Sequence, residues 1–158
     1  MTKYTGTAMV AYLAVTLLPF CWCLTSGYVS DHSELPEGLS SVEKLFLGKW
    51  AGSKERLKWE IDRKPDRSFE IVMEEVDPTD PSVTYHNYAT GEWSVRGDSY
   101  YCEWKHWVGD EGDFSGIMIE KVAEVMDDRV VTVSDGGSKN TELRVEFFQM
   151  PGWSLKKE

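Results

Sequence analysis

From Trp50 to Gln149 the apolar side chains recur at every second residue instead of at helical spacing. In "RLKWEI", Leu57, Trp59 and Ile61 alternate with Lys58 and Glu60, and "FEIVMEEV" sets Phe69, Ile71 and Met73 on one face. The same alternation predicts strands around Thr84 to Tyr88, Gly91 to Val95, Ser99 to Trp107, Phe114 to Val125, Arg129 to Ser134 and Thr141 to Gln149. "KPDRS", "DPTDPS", "RGD", "VGDEGD", "MDDR" and "DGGSKN" supply the turns. "EKVAEVMDDR" has helical propensity, but the β-like "DFSGIMIE" before it assigns it to a strand. Short strands joined by tight polar turns, with no helical crossover, make an all-β antiparallel meander. Such a meander removes its edges by closing, so the expected fold is a roughly eight-stranded barrel. One short helix precedes it: Ser40 and Glu43 form a capping box, and Val42, Leu45 and Phe46 share a side.

Residues 1–27 have a different pattern. One Lys is followed by an acid-free apolar run from Ala8 to Leu24, then by small residues at Thr25, Ser26 and Gly27, the plan of a secretory signal. An uncleaved anchor is the competing reading, against which Pro19 and the small-residue exit weigh. Lipidation is disfavoured by Phe20 before Cys21 and Trp22 before Cys23. The expected location is extracytoplasmic, secreted or periplasmic, and membrane-anchored if the segment stays. Residues 28–39, with Pro36 and Gly38, read as a linker; 40–150 form the barrel, and 151–158 a C-terminal tail.

A chain of 158 residues with seven Trp suits one core. Its formal charge of −10 argues against nucleic acid and anionic lipid, because a phosphate-binding face must be basic. No membrane insertion beyond residues 1–27 is expected, and the acidic surface favours a monomer. Cleavage would remove Cys21 and Cys23 and leave Cys102 as an odd thiol, so stability must come from packing.

"LGKW" places Gly48 and Trp50 at the start of the first strand, directly after the short helix. There it resembles the lipocalin-like, or calycin, barrels, whose first strand opens with Gly-x-Trp. That resemblance implies that an Arg from the last strand lies over the Trp, and Arg144 in "ELRVEF" fits. "TGEWSVRGDSYYCEW" is similar to a stretch of small bacterial lipocalin-like domains, which implies a bacterial-type secreted protein. The chain lacks the disulfide and the long helix after the last strand of classical lipocalins, so a pared-down barrel is implied. The resemblance further implies a central cavity for a small hydrophobic or amphipathic ligand. With Tyr100, Cys102 and Trp104 inward, the candidate lining is Trp59, Tyr88, Trp93, Tyr100 and Trp104, and Tyr101, Glu103, Lys105 and Trp107 fall outside. A filled interior is the alternative, since an eight-stranded barrel is only just wide enough for its side chains.

Other motifs carry less. Arg96-Gly97-Asp98 is an adhesion tripeptide, yet Gly97-Asp98 also suits a tight hairpin. Asp110, Glu111 and Asp113 gather oxygen ligands without a Ca²⁺-loop spacing, and His32, His86 and His106 show no metal spacing. Cys102 and His106 lie too far apart along one strand for an activated pair. No nucleophile elbow or phosphate loop is present in the sequence. A non-enzymatic binder without cofactor or metal is therefore expected. An adhesion protein acting through surface loops, or a hydrolase with two carboxylates at the barrel mouth, are the alternatives.

Overall fold

A computed structural model describes residues 38–110 and 115–157. The expected signal and linker, and the acidic residues 111 and 113, lie outside the described residues. The helix α1 runs Ser41–Phe46. Ser40 accepts from the Glu43 N–H at 3.1 Å while the Glu43 carboxylate accepts from the Ser40 N–H at 2.8 Å, so the capping box is formed in both directions. Phe46 and Glu43 are the buried residues of the helix.

Eight strands follow: β1 Gly48–Lys54, β2 Leu57–Arg63, β3 Ser68–Val76, β4 Thr84–Arg96, β5 Ser99–Gly109, β6 Gly116–Val125, β7 Arg129–Val133 and β8 Lys139–Arg144. Each pairs antiparallel with the next, and β8 pairs with β1, so the meander closes into a barrel. The two strands expected over 84–95 are one continuous strand. The last strand ends at Arg144 instead of Gln149: Val145 still donates to the Lys49 carbonyl, but the N–H groups of Gln149 and Met150 go to the Glu60 carboxylate on the outer wall instead of to a ladder.

Two local features of the β4–β5 hairpin set which of its side chains enter the barrel. Gly97, at φ +61, and Asp98 form the two-residue β4–β5 turn that the hairpin reading requires. Between Thr90 and Gly91 the β4–β5 register shifts: Gly91 faces Trp104 while Thr90 faces His106, which leaves Lys105 as an extra residue on β5. Beyond that bulge the inward and outward positions exchange. Trp107, expected outside, therefore lies opposite the fully buried Ala89 and packs against the core.

The barrel has two unlike ends. The helix end receives α1 and the β2–β3, β4–β5 and β6–β7 turns; the other end, here called the mouth, receives the remaining connections. After β8 the chain crosses the outer wall to a 3-10 helix, Pro151–Lys157, against β3 and β4. The expected tail is thus a docked element.

Candidate binding end of the barrel

The helix end is plugged. Trp50 is fully buried, its indole N–H donates to the Phe46 carbonyl at 2.9 Å, and Arg144 lies over its ring with the guanidinium carbon 4.2 Å from the centroid. Trp50 and Arg144 are direct register partners, and Arg144 also donates to the Leu47 and Leu45 carbonyls at the end of α1. Gly48 adopts φ +97 and has the Arg144 guanidinium 3.0 Å from where a Cβ would stand, so this turn excludes a side chain. The Arg-over-Trp arrangement implied by the resemblance is present. Beneath it Phe46 stacks on Tyr100 at 5.3 Å and on Trp93 at 6.2 Å, and Val130 and Phe69 belong to the same buried core.

The waist of the barrel is polar. Arg63 donates to both oxygens of Glu142, at 2.7 and 3.1 Å, and through Nε to the Tyr100 hydroxyl at 3.1 Å. Trp59 adds an indole N–H to Glu142 at 2.9 Å. Burial would lower the Arg63 pKa, but the charges and hydrogen bonds of Glu142 and Tyr100 outweigh it and keep the guanidinium charged. Glu120 is also buried; Thr132 donates to one of its oxygens and Asn140 to the other. Burial pushes the Glu120 carboxyl up and the Glu142 charge adds to this, against the lowering by the hydrogen bonds from Thr132 and Asn140 and by the charge of Arg63, which is not hydrogen-bonded to it. Burial likewise raises the Cys102 thiol to about 12, which makes it a structural thiol at neutral pH.

At the mouth, Leu57, Met73, Trp104, Trp107 and Met118 remain only partly buried against the core. Trp104 and Trp107 meet edge to face, with centroids 5.8 Å apart and planes at 63°. Below them Trp59 forms part of the waist. On β6, Glu120 lies one inward position below Met118, which faces Cys102.

The five residues expected to line a cavity thus divide. Trp59 and Trp104 face the mouth half, whereas Trp93 and Tyr100 are packed into the helix end. Tyr88 is a correction: it pairs with Val72 on the outer wall and is covered by Trp153, with ring centroids 6.2 Å apart. In a continuous β4 an even-numbered residue below the turn cannot share a face with Trp93. Sequence reading missed Trp107, Met73 and Met118, together with Arg63, Glu120 and Glu142. Period two runs straight through the last three, Arg63 following Trp59 and Ile61, and Glu120 following Met118. Their charge argued for the surface and concealed the signal.

Two shallow, open hollows of about 340 and 280 Å³ lie on the outer wall. One is lined by Ala51, Gly52, Ser53, Thr141 and Leu143, and the other lies over Phe69 and Gly91. The Arg96-Gly97-Asp98 turn is at the helix end, with Arg96 over the Tyr101 ring at 5.0 Å and Asp98 3.6 Å from Lys121. No protein-family profile matches this chain, and no curated protein shows significant similarity to it.

Proposed function

We propose that the chain is an exported, non-enzymatic barrel of lipocalin-like type, resembling those of small bacterial secreted proteins, that holds a small hydrophobic or amphipathic molecule at its mouth. The supporting observation is the make-up of the mouth, where the large side chains Trp104, Trp107, Met73, Met118 and Leu57 are only partly buried above the Arg63–Glu142 pair. At the helix end α1 covers the opening and Phe46, Trp50, Trp93 and Tyr100 are buried, so that smaller side chains such as Val42, Leu47, Val95, Val122 and Val125 are the ones left partly buried. Large apolar side chains with a few fixed polar groups beneath them are the ordinary make-up of a small-molecule seat. Because the helix-end half is packed, the ligand sits shallowly and leaves one end in water.

The test is intrinsic Trp fluorescence titrated with retinol and with decanol. A saturable change that is lost in Trp107→Ala is expected; no change with either probe removes the binding reading. The second reading is a filled barrel acting through its outside. Ile117 at 54% exposure and Leu143 at 55% favour it, as apolar side chains on the outer wall of β6 and β8. In its adhesion form it uses Arg96-Gly97-Asp98, and cell attachment that survives Asp98→Glu would remove that form.

A further inference from the structure

Resting on the binding reading above, we infer that the ligand is an apolar amine, seated with its ammonium group toward Glu120 and its apolar part between Trp104, Trp107, Met73 and Met118. The inference comes from the balance of charge inside the barrel. Among the described residues the waist holds Arg63, Glu142 and Glu120. Arg63 is already bound to both oxygens of Glu142 and to Tyr100, so it offers no separate seat for an anionic head group. Glu120 is different, since both of its oxygens are held by the neutral donors Thr132 and Asn140. It is a buried carboxyl that accepts no hydrogen bond from a cation.

Placing a charge in such a site is costly unless an opposite charge accompanies it. A carboxylate head group would add a negative charge beside Glu120 and Glu142. An ammonium would complete a second neutral pair, with Glu120 to Arg63–Glu142, and the upward shift of the Glu120 carboxyl fits a site awaiting a cation. The rim acts in the same direction. Glu55, Asp77, Asp80, Asp110 and Asp135 in the turns around the mouth outnumber Lys54, Arg56 and Lys139, and the chain as a whole carries −10. The resulting field draws cations toward the mouth and repels anions. Aromatic faces at the opening suit a cation as it passes, and apolar walls suit the chain that follows.

The experiment compares three probes of one chain length, decylammonium, decanol and decanoate, by titration calorimetry on the whole protein, each below its aggregation concentration. Decylammonium is expected to bind at least about tenfold more tightly than decanol, and decanoate more weakly than either. In Glu120→Gln the ratio of the decylammonium and decanol affinities is expected to fall to about one. Decanoate binding as tightly as decylammonium, or a preference that persists in Glu120→Gln, overturns the amine inference and leaves the binding reading standing. Binding of none of the three removes both. If Glu120→Gln does not fold, the ranking of the three probes on the unaltered protein decides.

Discussion

Glu43 accepts from the Ser40 N–H, from the Arg67 guanidinium at 2.8 and 3.1 Å, and from the Val95 N–H at 3.4 Å, so one buried carboxylate joins α1 to β4 and to the β2–β3 turn. Burial alone would raise its pKa, but Arg67 and Ser40 outweigh it and hold the carboxyl at about 2, below the ordinary 4.5. A depressed carboxylate stabilises the fold fully above its unfolded value. That contribution is lost as pH falls from about 4.5 toward 2, and the shift corresponds to on the order of 3 kcal/mol. Glu120 runs the other way: its raised carboxyl favours the fold at low pH, and this is lost as pH rises. Urea unfolding of Glu43→Gln across this range should therefore show a deficit at neutral pH that shrinks in acid. A deficit that is constant with pH would assign the loss to packing. Sequence spacing revealed Glu43 as a helix cap, while its pairing with Arg67 needed the tertiary fold, because Arg67 lies in a turn far along the chain.

At the level of elements, what the sequence made legible was whatever depends on neighbours in the chain. The α1 cap, the Gly97-Asp98 turn, the strand alternation and the Trp50–Arg144 pairing were all expected, and all are present. The Lys105 bulge was not, because a bulge is decided by the ladder bonds of two strands together, and "EWKHW" alternates smoothly by itself. Its consequence is large, since it moves Trp107 from the outside to the mouth. The C-terminal segment was missed for a related reason. Its anchor is Glu60, a charged residue on an outward position of β2, which reads from sequence as solvated. Instead Glu60 is buried and accepts from the N–H groups of Gln149 and Met150 and from the Trp153 indole at 2.7 Å. Phe148 stacks on Trp153 at 4.2 Å, and Gly152 lets the backbone lie against Val72. Removing the carboxylate leaves these donors in a covered site, so Glu60→Leu should cost roughly 2–4 kcal/mol. The effect should be local first: amide exchange at Gln149 and Met150 should accelerate well before exchange in β5 and β6. Uniform acceleration across all strands would show that the segment and the barrel unfold as one unit.

For the whole molecule, closure leaves no free edge among the described strands, so apart from the mouth the interior is reached only when some pair of strands parts. The pairs are unequal. β1 and β8 share three register pairs, Trp50–Arg144, Ala51–Leu143 and Gly52–Glu142, whereas β1 and β2 share seven. On the mouth side of Gly52 the seam is bridged by the Lys54 side chain to Ser138, and the outer hollow at Ala51, Ser53 and Thr141 lies beside it. If the barrel opens short of unfolding, this seam is the weakest line, and Cys102 reports the event. Its thiol is 1% exposed, and burial holds its pKa at about 12, so in the closed barrel it should be inert to a disulfide reagent near neutral pH. Labelling then requires opening, and its dependence on urea measures how much surface each opening exposes. A dependence equal to that of global unfolding would describe a barrel that opens only as a whole. A weaker dependence, abolished by a Ser53→Cys and Thr141→Cys cross-link, would place the opening at the β1–β8 seam and make that seam a side route to the waist.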